Sequence, residues 1–137
     1  MTKLNLEVAK EIIAASEKEA KNIDVRMVIS IADAGGNLIA THRMDDAWIA
    51  SIDIATNKAW TSVALKMPTE NLEEETVPSG SLYGLNTTND GRIVVFGGGI
   101  PLEVDGQVVG AIGVSGSAVS DDIQVAKAGA DAFNKLK

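Results

Sequence analysis

The chain has 137 residues, a length that suits one domain spanning 1–137, and its 45% hydrophobic and 23% charged residues are ordinary for a globular protein. A formal net charge of -7 with Lys and Arg scattered from Lys3 to Lys137, and only 4% aromatic residues, argue against nucleic acid and anionic lipid as partners. The absence of cysteine removes disulfides, thiolate metal sites and cysteine nucleophiles.

Met1 to Glu7 moves into charged sequence without an apolar leader, and no apolar run reaches the roughly 18–20 residues of a membrane span. A cytoplasmic location is expected. Leu4, Val8, Ile12 and Ala15 at three-to-four spacing predict an amphipathic helix over residues 5–22 with Asn5 as N-cap. Residues 25–32 read as a strand, 33–37 (Asp-Ala-Gly-Gly-Asn) as a turn, and 38–43 as the returning strand. Asp45 or Asp46 can cap a second helix over about 47–66, which Pro68 ends.

Thr69 can open a short acidic turn through Glu75. The polar stretch 76–91 reads as a long loop, a length that usually signals function or a hidden short element, for which Ser81 to Leu85 is the candidate. Strands are predicted at 92–96, 102–104 and 107–114, the last two joined by Asp105-Gly106, a strong hairpin signal. Ser120 is expected to cap a last helix to about Leu136, with Asp121 and Asp122 favourable to its dipole. Hairpins imply antiparallel pairing and the helices must cover the sheet, so the fold class is α+β.

Five segments together resemble one family. They are Ser30-Ile31-Ala32-Asp33-Ala34-Gly35-Gly36-Asn37-Leu38 followed by His42-Arg43-Met44-Asp45; Ser51-Ile52-Asp53-Ile54-Ala55 with Lys58-Ala59; Pro78-Ser79-Gly80-Ser81-Leu82-Tyr83-Gly84-Leu85; Phe96-Gly97-Gly98-Gly99-Ile100-Pro101-Leu102; and Val109-Gly110-Ala111-Ile112-Gly113-Val114-Ser115-Gly116. In order and over nearly the whole chain they are similar to the GlcG/HbpS/PduO C-terminal-like family, and within it to OrfY-type proteins of glycerol and diol utilisation operons. Ser79 stands where the family pattern has Gly. The resemblance implies a profilin-like fold, with about five antiparallel strands flanked by helices, in a homo-oligomer. It also implies a ligand, most plainly haem or a related tetrapyrrole or corrinoid, in a pocket at or near a subunit contact.

Against that expectation each candidate residue has a plain structural alternative. His42 is the single imidazole available to a haem iron, or else a half-exposed strand residue. The first helix has no His, so the axial His that one haem-binding member carries there has no counterpart. Gly98, Gly99, Ser115 and Gly116 can present backbone N–H groups to a propionate, or merely shape a curved sheet. Arg43 can pair with a ligand carboxylate or with an internal one, and Met44 can approach a metal or fill a core gap.

Glu70, Glu73 and Glu74 resemble the Glu-x-x-Glu surface iron motif of a secreted member, or form a solvated face. No acid–base pair or triad can be assembled around one His. The leading expectation is thus a haem-binding accessory protein. Its rivals are a cofactor-free oligomeric component of a glycerol or diol dehydratase system, and an enzyme acting on haem or a small hydroxy-acid.

Overall fold

The computed structural model describes residues 3–137, so the reading of Met1 and Thr2 as lacking a leader lies outside the described residues. Its elements run α1 (Leu6–Asn22), β1 (Val28–Asp33), β2 (Leu38–Arg43), α2 (Ala50–Leu65), β3 (Gly99–Val104), β4 (Gln107–Ser115) and α3 (Val119–Leu136). Short 3-10 turns lie at Thr69–Leu72, Leu85–Thr87 and Asn89–Gly91. The strands form one antiparallel sheet in the order β2-β1-β4-β3.

The fold is α+β as expected, but among the described residues the sheet has four strands rather than about five. The segment 92–96, predicted as a strand, joins no ladder. Val94 N–H instead donates to the Thr61 hydroxyl of α2 at 3.1 Å, and that hydroxyl donates to Arg92 C=O at 3.3 Å. Strand propensity is a packing preference, and here a helix side chain has taken the place of a partner strand. β3 begins earlier than predicted, at Gly99, and takes in Pro101, which an edge strand tolerates.

Two helix starts also differ. α2 begins at Ala50 without a side-chain cap, because Asp46 occupies the left-handed region at φ 70° and Ile49 takes the cap position. Ser120 lies inside the first turn of α3, whose N-cap is Ala118. That end is held by Ser117, whose hydroxyl donates to Asp121 at 2.7 Å and whose N–H donates to Asp122 at 3.2 Å. Asn5 does cap α1, accepting from Val8 N–H at 2.9 Å.

The sheet is covered on both faces, which explains why β1 (Val-Ile-Ser-Ile-Ala-Asp) reads as an almost unbroken apolar run. Ile29, Ile31, Ile112 and Val114 face α1 and α3 and build the main core with Ile12, Ile13, Val125 and Phe133. Ala32 and Ala111 meet Ala59 and Val63 of α2, and Val28 meets Ala55. The α2 side is therefore lined with small residues, and the helix lies close on the sheet. Ser30 is satisfied on that side by Thr41 at 2.8 Å and Thr56 at 3.3 Å, as a buried hydroxyl must be.

The β1–β2 turn yields a test. The Asp33 carboxylate accepts from the N–H groups of Gly35 and Asn37, both at 2.9 Å. Its hydrogen bond from the Asn37 backbone, more than the one from Gly35, holds it below the ordinary aspartate range. A depressed carboxylate stabilises the fold above its unfolded pKa and loses that contribution as pH falls through the folded value. Asp33→Asn is thus expected to flatten the acid side of the stability profile. Parallel acid limbs for the two proteins in chemical denaturation would refute the assignment.

Candidate ligand-binding site

The chain leaves α1 through Asp24, which is left-handed at φ 56°, and Val25 N–H closes on Ala20 C=O at 2.9 Å. Arg26 then leads into β1, while Met44 N–H bonds to Met27 C=O at 2.9 Å and extends the β1–β2 pairing by one step. These two chain segments and the end of α1 enclose an open cleft of about 500 Å³, lined by Glu17, Lys21, Asp24, Arg26, Arg43, Met44 and Asp45. A second cleft of about 210 Å³ shares Asp24 and Arg26 with the first and adds Ala47, Trp48, Gly116 and Ser117.

Among the described residues Arg43 binds no carboxylate. Its Nε and Nη2 both donate to Ala47 C=O, at 3.0 and 2.7 Å, which fixes the turn after β2 and orients the guanidinium beside the cleft. Arg26 reaches Asp24 at 3.2 Å, an exposed pair of little energetic weight. Both cations can therefore be drawn to an anionic ligand at small cost.

His42 projects from β2 towards α1, with its side chain 49% exposed and Nδ1 3.2 Å from Glu17 Oε2. A neutral ring that donates from Nδ1 to a carboxylate carries its free lone pair on Nε2. This is the orientation that metal-binding imidazoles adopt, with a carboxylate behind them. His42 does not itself line the larger cleft and reaches it through Glu17; an iron-bearing anionic macrocycle would meet Arg26, Arg43 and Met44 in the cleft and the imidazole at its Glu17 edge. Trp48, 64% exposed beside the second cleft, adds apolar surface.

The remaining expected residues lie elsewhere. Gly116, at φ 155°, borders the second cleft beside Arg26. Gly98, Gly99 and Ser115 are buried where α2 crosses the sheet. Gly99 N–H donates to Thr69 Oγ1 at 2.9 Å, and Ser115 Oγ to Ser51 Oγ at 3.2 Å. A side chain at Gly98 would meet Val114 C=O at 2.6 Å and the Lys58 amine at 2.7 Å.

That amine belongs to a buried ion pair. Lys58 Nζ, fully enclosed, donates to Asp122 Oδ2 at 2.9 Å and to Val114 C=O at 2.8 Å, with the Phe96 ring 4.9 Å from it. Burial pushes Lys58 below the ordinary lysine range and Asp122 above the ordinary carboxylate range, and each is partly offset by the charge of the other.

Of the acidic residues, Glu73 accepts from Gly97 N–H at 3.0 Å, and Glu70 packs against Gly97 through its Cβ. Glu74 is exposed. Among the described residues no group of three or more His, Asp or Glu is placed to hold a metal ion. No helix among them is long and apolar enough to cross a membrane.

Sequence reasoning did not find Glu17, Lys21 or Arg26. Nothing local in the sequence links Glu17 to a residue 25 positions away.

Comparison with known proteins agrees with this architecture. Residues 4–131 match the family model described as haem degrading protein HbpS-like. The chain is 44% identical over 133 residues to an uncharacterised 15.0 kDa protein of the dhaT-dhaS intergenic region of Citrobacter freundii, covering 97% of this chain and 94% of that protein. The crystal structure of the Klebsiella pneumoniae protein ORFY superposes with a TM-score of 0.96 at 42% identity, over 100% of this chain and 95% of that one. A structure described as a PduOC:heme complex superposes with a TM-score of 0.93 at 37% identity, over 97% and 96% of the two chains.

Proposed function

The chain belongs to the HbpS-like family, and from that premise we propose that residues 1–137 form a single domain that binds haem, or a related tetrapyrrole, in the cleft between α1 and β2. The observation that carries this reading is the His42–Glu17 contact, which frees Nε2 of an exposed imidazole at the Glu17 edge of the cleft that Arg26 and Arg43 line. In it, His42 supplies the iron ligand and Arg26 and Arg43 bind the propionates by charge-assisted hydrogen bonds. Met44 and Trp48 give apolar contact. The likeness to the PduOC:heme complex supports the same ligand class.

The cleft is open and mostly polar, whereas haem is apolar over both faces. A pocket that buries such a ligand needs more apolar wall than this chain brings to the cleft. We therefore place the ligand near a contact between copies in a homo-oligomer, on a profilin-like platform in the cytoplasm. The role is that of an accessory binding protein.

Titration of the purified protein with haem is expected to give a shifted Soret band at a defined stoichiometry. His42→Ala should abolish that shift, and Glu17→Gln should weaken binding by about tenfold, the scale of losing a group that orients a metal ligand. An unchanged Soret position and affinity in His42→Ala would overturn the assignment. Parallel titration with cobalamin separates a haem site from a corrinoid site. Release of biliverdin or iron would mark an enzyme acting on haem.

A further inference from the structure

We propose that the groove between α2 and the segment 92–96 binds a small, neutral, polyhydroxylated molecule, of the size of a short polyol or a pentose. The inference goes beyond the haem reading, uses none of its residues and stands without it.

The groove has a volume of about 320 Å³ and is lined by Asp53 and Asn57 of α2, by Ile93, Val95 and Phe96 of the segment, and by Asn86. At about 30 Å³ for each water-sized group, it has room for about ten of them. Asn86 and Gly91 bring in the long polar loop 76–91, to which no other role has fallen. That loop ends in three successive left-handed residues, Asn89, Asp90 and Gly91, at φ 51°, 54° and 75°. Two of them are not glycine, and backbone held at such a cost gathers where a ligand is bound.

The polar groups of the groove are unmatched in both senses. Among the described residues the Asp53 carboxylate and the Asn86 amide make no hydrogen bond or ion pair. Val94 N–H is satisfied by Thr61, but among the described residues the N–H groups of Ile93, Val95 and Phe96 have no acceptor. Asn57 is oriented by Arg92, which stacks on Trp60 at 4.3 Å from the ring centroid and donates from Nε to Asn57 Oδ1 at 3.3 Å. That bond occupies the amide oxygen and leaves Asn57 Nδ2 free to donate. Asp53 and Asn57 are four apart on α2 and so share one face of the helix.

These groups select the class of ligand. An anion is repelled by Asp53. A simple ammonium satisfies Asp53 but accepts nothing, so it leaves the Asn57 amide and the backbone N–H groups unmatched. A hydroxyl both donates and accepts. Adjacent hydroxyls on one carbon chain can therefore donate to the Asp53 carboxylate and accept from Asn57 and the backbone. The Phe96 ring, 37% exposed, gives apolar contact to the C–H edge of the same molecule.

Titration of the haem-free protein with glycerol, ribitol and ribose, followed by amide chemical shifts in nuclear magnetic resonance, tests this. At least one of the three is expected to give saturable shifts at Val95, Phe96 and the side-chain amides of Asn57 and Asn86, with half-saturation at about 10 mM or below. Asp53→Ala should weaken that binding by about tenfold or more, since it removes a charged acceptor. Asn86→Ala, at an exposed loop position, should weaken it by about threefold and serves if Asp53→Ala disturbs α2. His42→Ala should leave the polyol titration unchanged while abolishing the haem shift, which separates the two sites. No saturable shift at the groove with any of the three up to about 100 mM, a range that reveals even very weak specific binding, overturns the proposal. So does tighter binding of pentylamine than of ribitol, which would make the groove a cation site, or a folded Asp53→Ala variant with undiminished affinity.

Discussion

Asp122→Leu is expected to lower stability by about 3–5 kcal/mol, the usual scale for removing one partner of a buried ion pair. The variant leaves the Lys58 ammonium fully enclosed, with Val114 C=O as its remaining hydrogen-bond acceptor. The Phe96 ring lies 4.9 Å away and cannot replace a carboxylate. Lys58→Met should cost less, because Asp122 keeps the Ser117 N–H and burial already favours its neutral form. The double variant K58M/D122L should lie close to the wild type, since an apolar pair of similar volume avoids desolvating two charges. Urea denaturation of the four proteins completes the cycle. Additive losses would show that the two groups do not depend on each other, and the pairing argument would then fail.

Gly113→Val carries the second large effect. Gly113 sits in the middle of β4, where the α2 backbone passes directly over it. A Cβ there would collide with Ala55 C=O and lie 2.6 Å from Ala59 N. Relief requires α2 to lift off β4 and β1, so the loss is expected at about 3 kcal/mol or more, the upper range for overpacking a core. Gly113→Ala should show a smaller loss of the same kind. Far-UV dichroism should keep the helical signal while the denaturation midpoint falls. A midpoint within error of the wild type for Gly113→Val would mean that α2 does not rest on the sheet as described.

Both effects arise from pairings that sequence reading did not find. Lys58 and Asp122 are separated by 64 positions and belong to helices on opposite faces of the sheet. In sequence, Asp122 reads as a charge suited to the first turn of α3, and Lys58 stands only as part of a family-like motif. Neither pattern betrays burial, because burial of a charge is decided by what folds over it. The same applies to His42, whose partner Glu17 comes from a helix that periodicity places but whose contact with β2 it does not reveal.

Local chemistry was legible where a single short segment sets the outcome. Asn5 caps α1, the Asp33–Asn37 turn reverses the chain, and Asp105-Gly106 closes the β3–β4 hairpin with φ values of 52° and 78°. It failed at 92–96, where Val and Ile promised a strand and Thr61 took the hydrogen bond instead.

The sequence alone determined the α+β class, the antiparallel hairpins, most of the element boundaries and the family, because each depends on periodicity, turn residues or motif order within short stretches of chain. Only the tertiary structure decided the rest: that there are four strands, that α2 lies hard against small residues, that Lys58 is sealed with Asp122, and that His42 meets Glu17 next to two arginines. These are contacts between distant segments. Their energies come from desolvation and close packing, which no local pattern encodes.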